Sequence, residues 1–381
     1  MTGSLPAREP LLRALIDICG PGFARPAGTG DTVASRRASF VAAPATTDSV
    51  IDTMRLALDR GLAVIPRGSG TKIDWGVPPP GVDLLLDTVR LAGVWNHRPA
   101  ELTAEMGTGT PLRAVQAALA LRNQRLAMDP GSVTATIGGV LALNEAGPLR
   151  FKYGDPAGQV DSVAYVERTG GRGMSSRVDE ISGVMLSANL RLQPLPEARR
   201  WVSVTVSNPR RLQDLVARTR ELDVDPSAIE IDMPAPTSLQ STGTLAVLLE
   251  GAQADVTERA GDLVDGIGTR AAVAEAAPRW WGRYPFGPAD VAVRVSVPIE
   301  DLHAAVFALS DAVGRPVPVR GSAGVGSVHA VLPGTLHPER VEAILDSLRN
   351  VLMARAGRAV IVAAPPEIAR QVDMASRHDF F

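Results

Sequence analysis

The sequence predicts an α+β chain of two domains, and three features carry that reading. Between Phe40 and Pro66, short apolar runs flank a helix-spaced stretch, a β-α-β unit that delivers the segment Arg67-Gly68-Ser69-Gly70-Thr71 at the carboxyl end of its second strand. From Asp129 to Gly154 the chain reads DPGSVTATIGGVLALNEAGPLRFKYG, a second Gly-rich stretch with short polar side chains set among its turns. Beyond Pro196, strand and helix patterns follow in an order that starts again at Val291, a degenerate β-α-β-β-α repeat of the ferredoxin-like kind.

The 381 residues are enough for two sizeable cores, and 45% hydrophobic with 21% charged residues fits a globular protein. A formal net charge of −2 gives no basic excess to attract nucleic acid or an anionic membrane surface, so neither is expected as a partner. No apolar run approaches the roughly 18 to 20 residues that cross a bilayer.

Residues 1–30 read as an amino-terminal helix and link. Leu11, Leu12, Leu15, Ile16 and Ile18 have helical spacing, and the early Arg and Glu argue against a secretory signal. The single cysteine, Cys19, excludes an internal disulfide and a cysteine metal cluster, fits a reducing compartment and is expected to pack as a small apolar residue. The first domain is expected over 31–196. Phe40 to Ala43 forms a strand, Asp48 caps a helix carrying Val50, Ile51, Met54, Ala57 and Leu58, and Gly61 ends it before the strand Leu62 to Pro66. A Pro-rich turn from Val77 to Gly81 precedes strands at Leu84 to Asp87 and Glu101 to Gly107. Thr110 and Pro111 then read as N-cap and first-turn proline of a helix through Leu121. Strands at Ser162 to Val166 and Val184 to Leu192 close the domain at Pro194 and Pro196. The second domain, 197–381, holds the two repeats.

In Val64 to Lys72, VIPRGSGTK, successive backbone N–H groups make a concavity for an anion, with Arg67 and Lys72 supplying cations beside it. In the second stretch Gly131, Gly138, Gly139, Gly147 and Gly154 let another surface come close. Thr134, Thr136 and Asn144 offer hydrogen bonds there, and Arg150 a fixed charge. Together they suit a flat, phosphorylated ligand; the alternative is a pair of Gly-rich loops joining strands. The GxG pairs at Gly28, Gly68, Gly107 and Gly324 lack the third glycine of a nicotinamide fingerprint, and neither a Walker sequence nor metal-ligand spacing is present.

The segments Pro66 to Thr71 and Ala135 to Gly154 resemble the PRGxGT-like and ATIGGxLAxNxxGPxRxxYG-like motifs of the vanillyl-alcohol-oxidase and p-cresol-methylhydroxylase (PCMH) superfamily, in particular the flavin-binding subunit of bacterial glycolate oxidase. The resemblance implies a PCMH-type FAD-binding domain of two α+β subdomains, followed by an α+β cap. It also implies FAD held by Pro66, Arg67, Gly68, Ser69, Gly70, Thr71, Lys72, Pro130, Gly131, Thr134, Thr136, Ile137, Gly138, Gly139, Asn144, Gly147, Arg150, Gly154, Gly183 and Val184. Some members attach flavin covalently through a histidine after the Gly-rich loop or through a cysteine. Thr71 and Lys72 stand in that region here and Cys19 lies far from both motifs, so non-covalent FAD is expected.

The implied activity is oxidation of a small 2-hydroxy acid or similar alcohol. The electrons would go to a partner, a second flavoprotein subunit and an iron–sulfur subunit being the kinds implied, in a cytoplasmic protein that meets the inner membrane face only through them. His329 is the candidate proton acceptor and Arg283, in Trp280-Trp281-Gly282-Arg283-Tyr284, the candidate substrate anchor. A lone histidine beside a Gly-rich turn is more often structural or exposed, and the aromatic cluster is alternatively an interface anchor or simple packing. His97, His303, His337 and His378 are weaker candidates. Two departures favour an alternative, a non-catalytic structural subunit of a flavoprotein/iron–sulfur complex. Between Val166 and Val184 most of a KNVAGYDLxKLFxGSxGTLG-like segment is missing, and no FDPxxxxNPGR-like segment follows the last strand.

Overall fold

The computed structural model describes residues 8–235, 242–268 and 270–374. It falls into two compact units: one made of the chain up to Asp74, Pro78–Ala146 and Asp155–Leu195, the other of Trp75–Val77, Gly147–Gly154 and the chain from Pro196 onward. Two short pieces of the Gly-rich neighbourhoods therefore pack with the second unit.

In the first unit, α1 (Arg8–Cys19) buries Leu11, Leu15 and Cys19 against Ala24, Phe40 and Leu84. A four-stranded sheet runs in the order β1 (Ala24–Pro26), β2 (Phe40–Ala42), β4 (Leu84–Asp87), β3 (Val64–Arg67), with β2, β4 and β3 parallel. The two strands of the β-α-β unit are thus not neighbours. Leu84, Leu85 and Leu86 are all buried, and a strand apolar on both faces belongs in the middle of a parallel sheet. Helix α2 (Thr47–Asp59) is capped by Thr46 rather than Asp48, because Ser49 at the third helical position completes a reciprocal capping box. Asp48 occupies the first turn, where its charge favours the helix amino end.

An antiparallel sheet forms the rest of this unit. Its order is β8 (Arg172–Ser175), β7 (Val160–Glu167), β9 (Gly183–Arg191), β6 (Thr103–Gly107), β5 (Val94–Arg98). Helices α3 (Leu112–Ala120) and α4 (Ile137–Ala142) pack Val115, Leu119, Ile137 and Val140 on its inner face. Thr110 does not cap α3. Its hydroxyl donates to Gly107 O at 2.6 Å and accepts from Gly93 N at 2.9 Å, and α3 starts from Pro111 instead. The interval between Val166 and Val184 is built, as the edge strand β8 and a 3-10 turn at Val178–Glu180.

The second unit is one antiparallel sheet of eight strands. The first repeat is β10 (Ala198–Val206), α6 (Pro209–Glu221), β11 (Ala228–Met233), β12 (Gly243–Gly251), α7 (Gln253–Ile267) and β13 (Ala271–Ala274). The second is β14 (Asp290–Ser296), α8 (Leu302–Val313), β15 (Val319–Ser322), β16 (Ser327–Pro333), α9 (Pro338–Met353) and β17 (Arg358–Ala363). The strand order β13-β10-β12-β11-β15-β16-β14-β17 reads the same from either end once the repeats are matched strand for strand. Each half has the ferredoxin-like order, and they join edge to edge through β11 and β15. The helices bury Leu215, Leu263, Leu309 and Leu348 on the sheet face carrying Val202, Val204, Val293 and Val295.

Candidate functional site

The RGSGT loop leaves β3 at Arg67 and turns back at Gly70, whose φ of +71° suits glycine. Among the described residues, the N–H groups of Gly68, Ser69, Gly70 and Thr71 donate to no protein acceptor, so four successive donors remain for a ligand. Such a row next to a left-handed residue is an anion-binding nest.

Gly68 presses the loop against the second Gly-rich stretch. A Cβ there would overlap Thr136 Oγ1 and lie 3.1 Å from both Thr136 Cβ and Cγ2. The Ser69 hydroxyl donates to Thr134 O at 2.6 Å, a second tie between the motifs. Thr136 is the N-cap of α4, its Oγ1 accepting from Gly139 N. Ile137 N and Gly138 N donate to Thr110 O and Thr108 O, and a Cβ on Gly138 would come within 2.9 Å of Thr108 Cβ. The second stretch therefore spends these N–H groups on its own fold and supplies shape, while the first supplies free donors.

Arg67 does not point a free charge at the loop. Its guanidinium donates to both Asp87 oxygens at 2.6 and 2.9 Å and to Asp31 Oδ1 at 3.1 Å. Arg25 also donates to Asp31, and with Gly28 N–H and Arg67 it holds that carboxyl well below its ordinary range despite burial. Lys72 turns inward to an ion pair with Glu145, the two side chains only 4% and 5% exposed. Burial pulls the ammonium down, to about 7, and contact with the carboxylate acts the other way. Glu145 also accepts Ser132 N–H at 3.2 Å.

The loop stands between two clefts. One, of about 400 Å3, is lined by Gly30, Thr32, Arg67, Asp87 and Val89 with the loop glycines. The other, of about 230 Å3, is lined by Ile65, Ile73, Ala142 and Leu143 together with Lys72, Thr136, Gly139 and the loop. Ile65, Ile73, Ala142, Leu143, Asp31 and Asp87 were not among the residues expected from sequence.

The remaining expected ligands are spread more widely. Pro66 lies in β3 and lines the smaller cleft, and Pro130 and Gly131 are half-buried in the turn before α4. Asn144 has a φ of +46° and its Oδ1 accepts from Ala157 N, a turn-forming role. Gly183 and Val184 open β9, with Val184 in the core. Gly147, Arg150 and Gly154 belong to the second unit, where the short helix α5 (Arg150–Tyr153) packs against the sheet and Leu149 and Tyr153 join Trp201, Ala228, Leu248 and Trp281.

His329 lies on β16, on the sheet face opposite α6–α9, since its neighbours Val328 and Ala330 enter the helix-side core. Its cross-strand partners are Arg294 and Arg320, and its ring meets Tyr284 edge-on at 5.2 Å and Phe286 at 5.7 Å. Trp75 stacks against both aromatic rings, at 5.1 and 5.6 Å. Burial raises the Tyr284 phenol above its ordinary range. Arg283, the expected anchor, is exposed, and its carbonyl accepts from Arg320 Nη1 at 3.4 Å. Arg294 and Arg320 are the arginines beside His329, and Arg320 is itself paired with Asp232 at 2.8 Å. Trp280 and Trp281 pack on each other, and Trp281 packs on Trp201. His97 bonds Gln124, His337 faces Glu339, and His303 lines a groove among α6, α8 and α9. His378 lies outside the described residues. Among the described residues no His, Cys, Asp and Glu cluster could hold a metal, and no helix is long and apolar enough to cross a membrane.

Residues 38–172 match the FAD binding domain family. An uncharacterised FAD-linked oxidoreductase of Mycobacterium tuberculosis is 29% identical over 135 residues, 35% of this chain and 29% of that protein. D-lactate dehydrogenase of Archaeoglobus fulgidus is 28% identical over 140 residues, 36% of this chain and 31% of its own length. The matched stretch thus spans under a third of either relative. An alkyldihydroxyacetonephosphate synthase superposes over 94% of this chain and 82% of its own, with a TM-score of 0.71 and 16% identity. The substrate-bound structure of p-cresol methylhydroxylase superposes over 94% and 89%, with a TM-score of 0.71 and 12% identity. At these identities the likeness to the solved structures is one of fold.

Proposed function

We propose that this chain, which has the PCMH-type fold and carries an FAD binding domain of the FAD-linked oxidase family, binds FAD without a covalent bond and oxidises a small 2-hydroxy acid or similar alcohol, passing electrons to a partner. The observation that carries the reading is the loop of four free N–H groups standing between a polar and an apolar-walled cleft. FAD is an extended molecule with a pyrophosphate between two flat ends, and that is the ligand shape such a site suits. Gly68 to Thr71 would hold the pyrophosphate, and Ile65, Ile73, Ala142 and Leu143 would pack a flat ring. No described side chain offers a covalent link at the loop: Thr71 is a hydroxyl, Lys72 is paired and Cys19 is buried in α1.

When bound, FAD supplies the hydride acceptor for alcohol oxidation. In the second unit, His329 is the group with the chemistry to take the hydroxyl proton, and Arg294 and Arg320, the latter paired with Asp232, are its cross-strand neighbours and the candidate anchors for a carboxylate. Onward electron transfer is assigned to a partner of the kind the family resemblance implies, a second flavoprotein or an iron–sulfur subunit. A second reading, a non-catalytic structural subunit, is favoured by the packing of His329 against Tyr284 and Phe286.

Visible absorption of the purified protein tests the first reading. Flavin bands that move to the supernatant on acid precipitation, and bleach when a 2-hydroxy acid is added, are the expected result. A protein that takes up no FAD when it is supplied in excess defeats it, and bands that stay with the precipitate defeat the non-covalent part alone.

A further inference from the structure

Between two stretches of the first unit the chain enters the second for three residues, Trp75–Val77, and returns. This excursion is tied down on both sides of Trp75: Asp74 Oδ1 accepts Ala34 N–H at 2.7 Å, and Gly76 N–H donates to Val362 O on β17 at 3.1 Å. Gly76 has no side chain to offer and Val77 is 61% exposed, so the Trp75 indole is what the excursion delivers. The indole packs on Tyr284 and Phe286, these two rings stand 5.1 Å apart, and both meet His329.

Tyr284 and Phe286 come from a stretch, 275–289, with neither helix nor strand. Arg320 Nη1 reaches Tyr284 O only at 3.3 Å, so ring packing has to set where the two aromatic side chains point. His329 is placed differently. Strand pairing with β14 and β15 fixes its backbone, while the outer torsion of a histidine side chain is broad, which leaves the direction of the imidazole to its neighbours.

We propose that Trp75 is a positioning residue for His329: by backing Tyr284 and Phe286 it holds the imidazole in the direction from which it takes the hydroxyl proton. The inference rests on the reading of His329 as the proton acceptor. Proton transfer needs the acceptor nitrogen within hydrogen-bond reach of the hydroxyl, so a ring free to turn loses rate even where the fold is intact. Trp75 acts only through the two rings between.

The first measurement needs neither flavin nor substrate. In the full chain carrying isotope-labelled histidine, the His329 ring resonance is identified by its loss in His329→Phe. It should stand away from that of a solvated histidine, because the Tyr284 and Phe286 rings beside it shift it. In Trp75→Leu it should move toward the solvated position or broaden while the other histidine signals stay in place. Trp75→Phe keeps a smaller ring and should move it only part of the way; should Trp75→Leu not fold, that partial shift is the required result. The second measurement is single-turnover reduction of bound FAD by a 2-hydroxy acid at saturating concentration. Trp75→Leu should retain FAD and slow the step about 10- to 100-fold. In the His329→Phe background it should slow the step no further, since positioning has no effect once the positioned group is gone.

An unmoved His329 resonance, or equal slowing by Trp75→Leu with and without His329, overturns the proposal and leaves FAD binding and the role of His329 standing. Wild-type reduction in His329→Phe removes the catalytic reading and the inference with it.

Discussion

Gly68→Ala is the sharpest perturbation of the site, because its cost can be worked from neighbouring atoms. The new methyl would overlap Thr136 Oγ1 and crowd Thr136 Cβ and Cγ2, both at 3.1 Å, and Thr136 is buried. Relief requires either a shift of the loop or a turn of the threonine away from Gly139 N, which it caps at 3.3 Å. Overpacking of this kind costs about 1 to 3 kcal/mol, and a turned threonine adds loss of an N-cap at about 1 kcal/mol, so the first unit should lose about 1 to 4 kcal/mol. If the loop shifts and one charge-assisted bond to phosphate is lost, FAD affinity falls by a further 10-fold or more. Urea denaturation of the apoprotein and FAD titration by flavin fluorescence read the two effects separately. Gly70→Ala is the control: its strain is the left-handed φ, about 1 to 2 kcal/mol, with the nearest atom an ordinary 3.6 Å away. Thr136→Ala removes the overlapped oxygen, so the Gly68→Ala/Thr136→Ala pair should cost at least about 1 kcal/mol less than the sum of its parts. Additive costs, or a harmless Gly68→Ala, would refute the contact between the two stretches.

Further outcomes follow from the charged groups of the first unit. Arg67→Leu strands the Asp87 carboxylate and should lower stability by about 3 kcal/mol at pH 7, read as a lower urea midpoint. Asp31 is depressed from its ordinary 3.8, chiefly by Arg25 and further by Gly28 N–H and Arg67, so its contribution is present above pH 4 and fades as pH falls. The acid-side loss should therefore be shallower in Arg67→Leu, and identical slopes would remove Arg67 from the network. In Glu145→Gln, burial acts on Lys72 unopposed and its folded pKa lies below the unfolded 10.5. The unfolded chain then binds more protons above pH 7, and the variant's stability should rise between pH 7 and 10 more steeply than that of the wild type. Parallel pH curves would show that Glu145 does not hold the ammonium charged.

The sequence made the loop legible because Gly-Ser-Gly after an apolar strand is a local device: its donors and its turn come from adjacent residues. The cleft walls were not legible. Ile65, Ile73 and Ala142 look like core residues in sequence, and only the folded chain, where Ile65 and Ile73 are half-buried and Ala142 and Leu143 exposed, distinguishes a wall from a core. Arg67 was read as a phosphate contact because nothing local reveals Asp31 or Asp87, which the fold brings in from 36 and 20 positions away. The order of the parallel sheet was partly readable, since three consecutive buried leucines demand a central strand. Asp48 and Thr46 are both good caps, and the serine at the third helical position decides for Thr46. The second unit read more easily because its two repeats state the same pattern twice. Trp75 shows the limit: three residues past Lys72 in sequence, it stacks in the second unit on Tyr284 and Phe286.

The catalytic and structural readings part company at His329, and one substitution separates them. As a proton acceptor, His329 would contribute about 10²- to 10⁴-fold to flavin reduction by substrate while FAD retention depends on the first unit. As a packing residue, it would contribute through its contacts with Tyr284 and Phe286, each worth about 0.5 to 1.5 kcal/mol. His329→Ala disturbs both roles and decides nothing alone. His329→Phe keeps a ring against its two neighbours and removes every proton the side chain could carry. Under the catalytic reading it leaves stability and FAD content near wild type and slows single-turnover reduction by a 2-hydroxy acid at least 100-fold. If flavin in His329→Phe is reduced at the wild-type rate, the ring is there for packing, and proton transfer must be sought elsewhere on the face that carries Arg294 and Arg320.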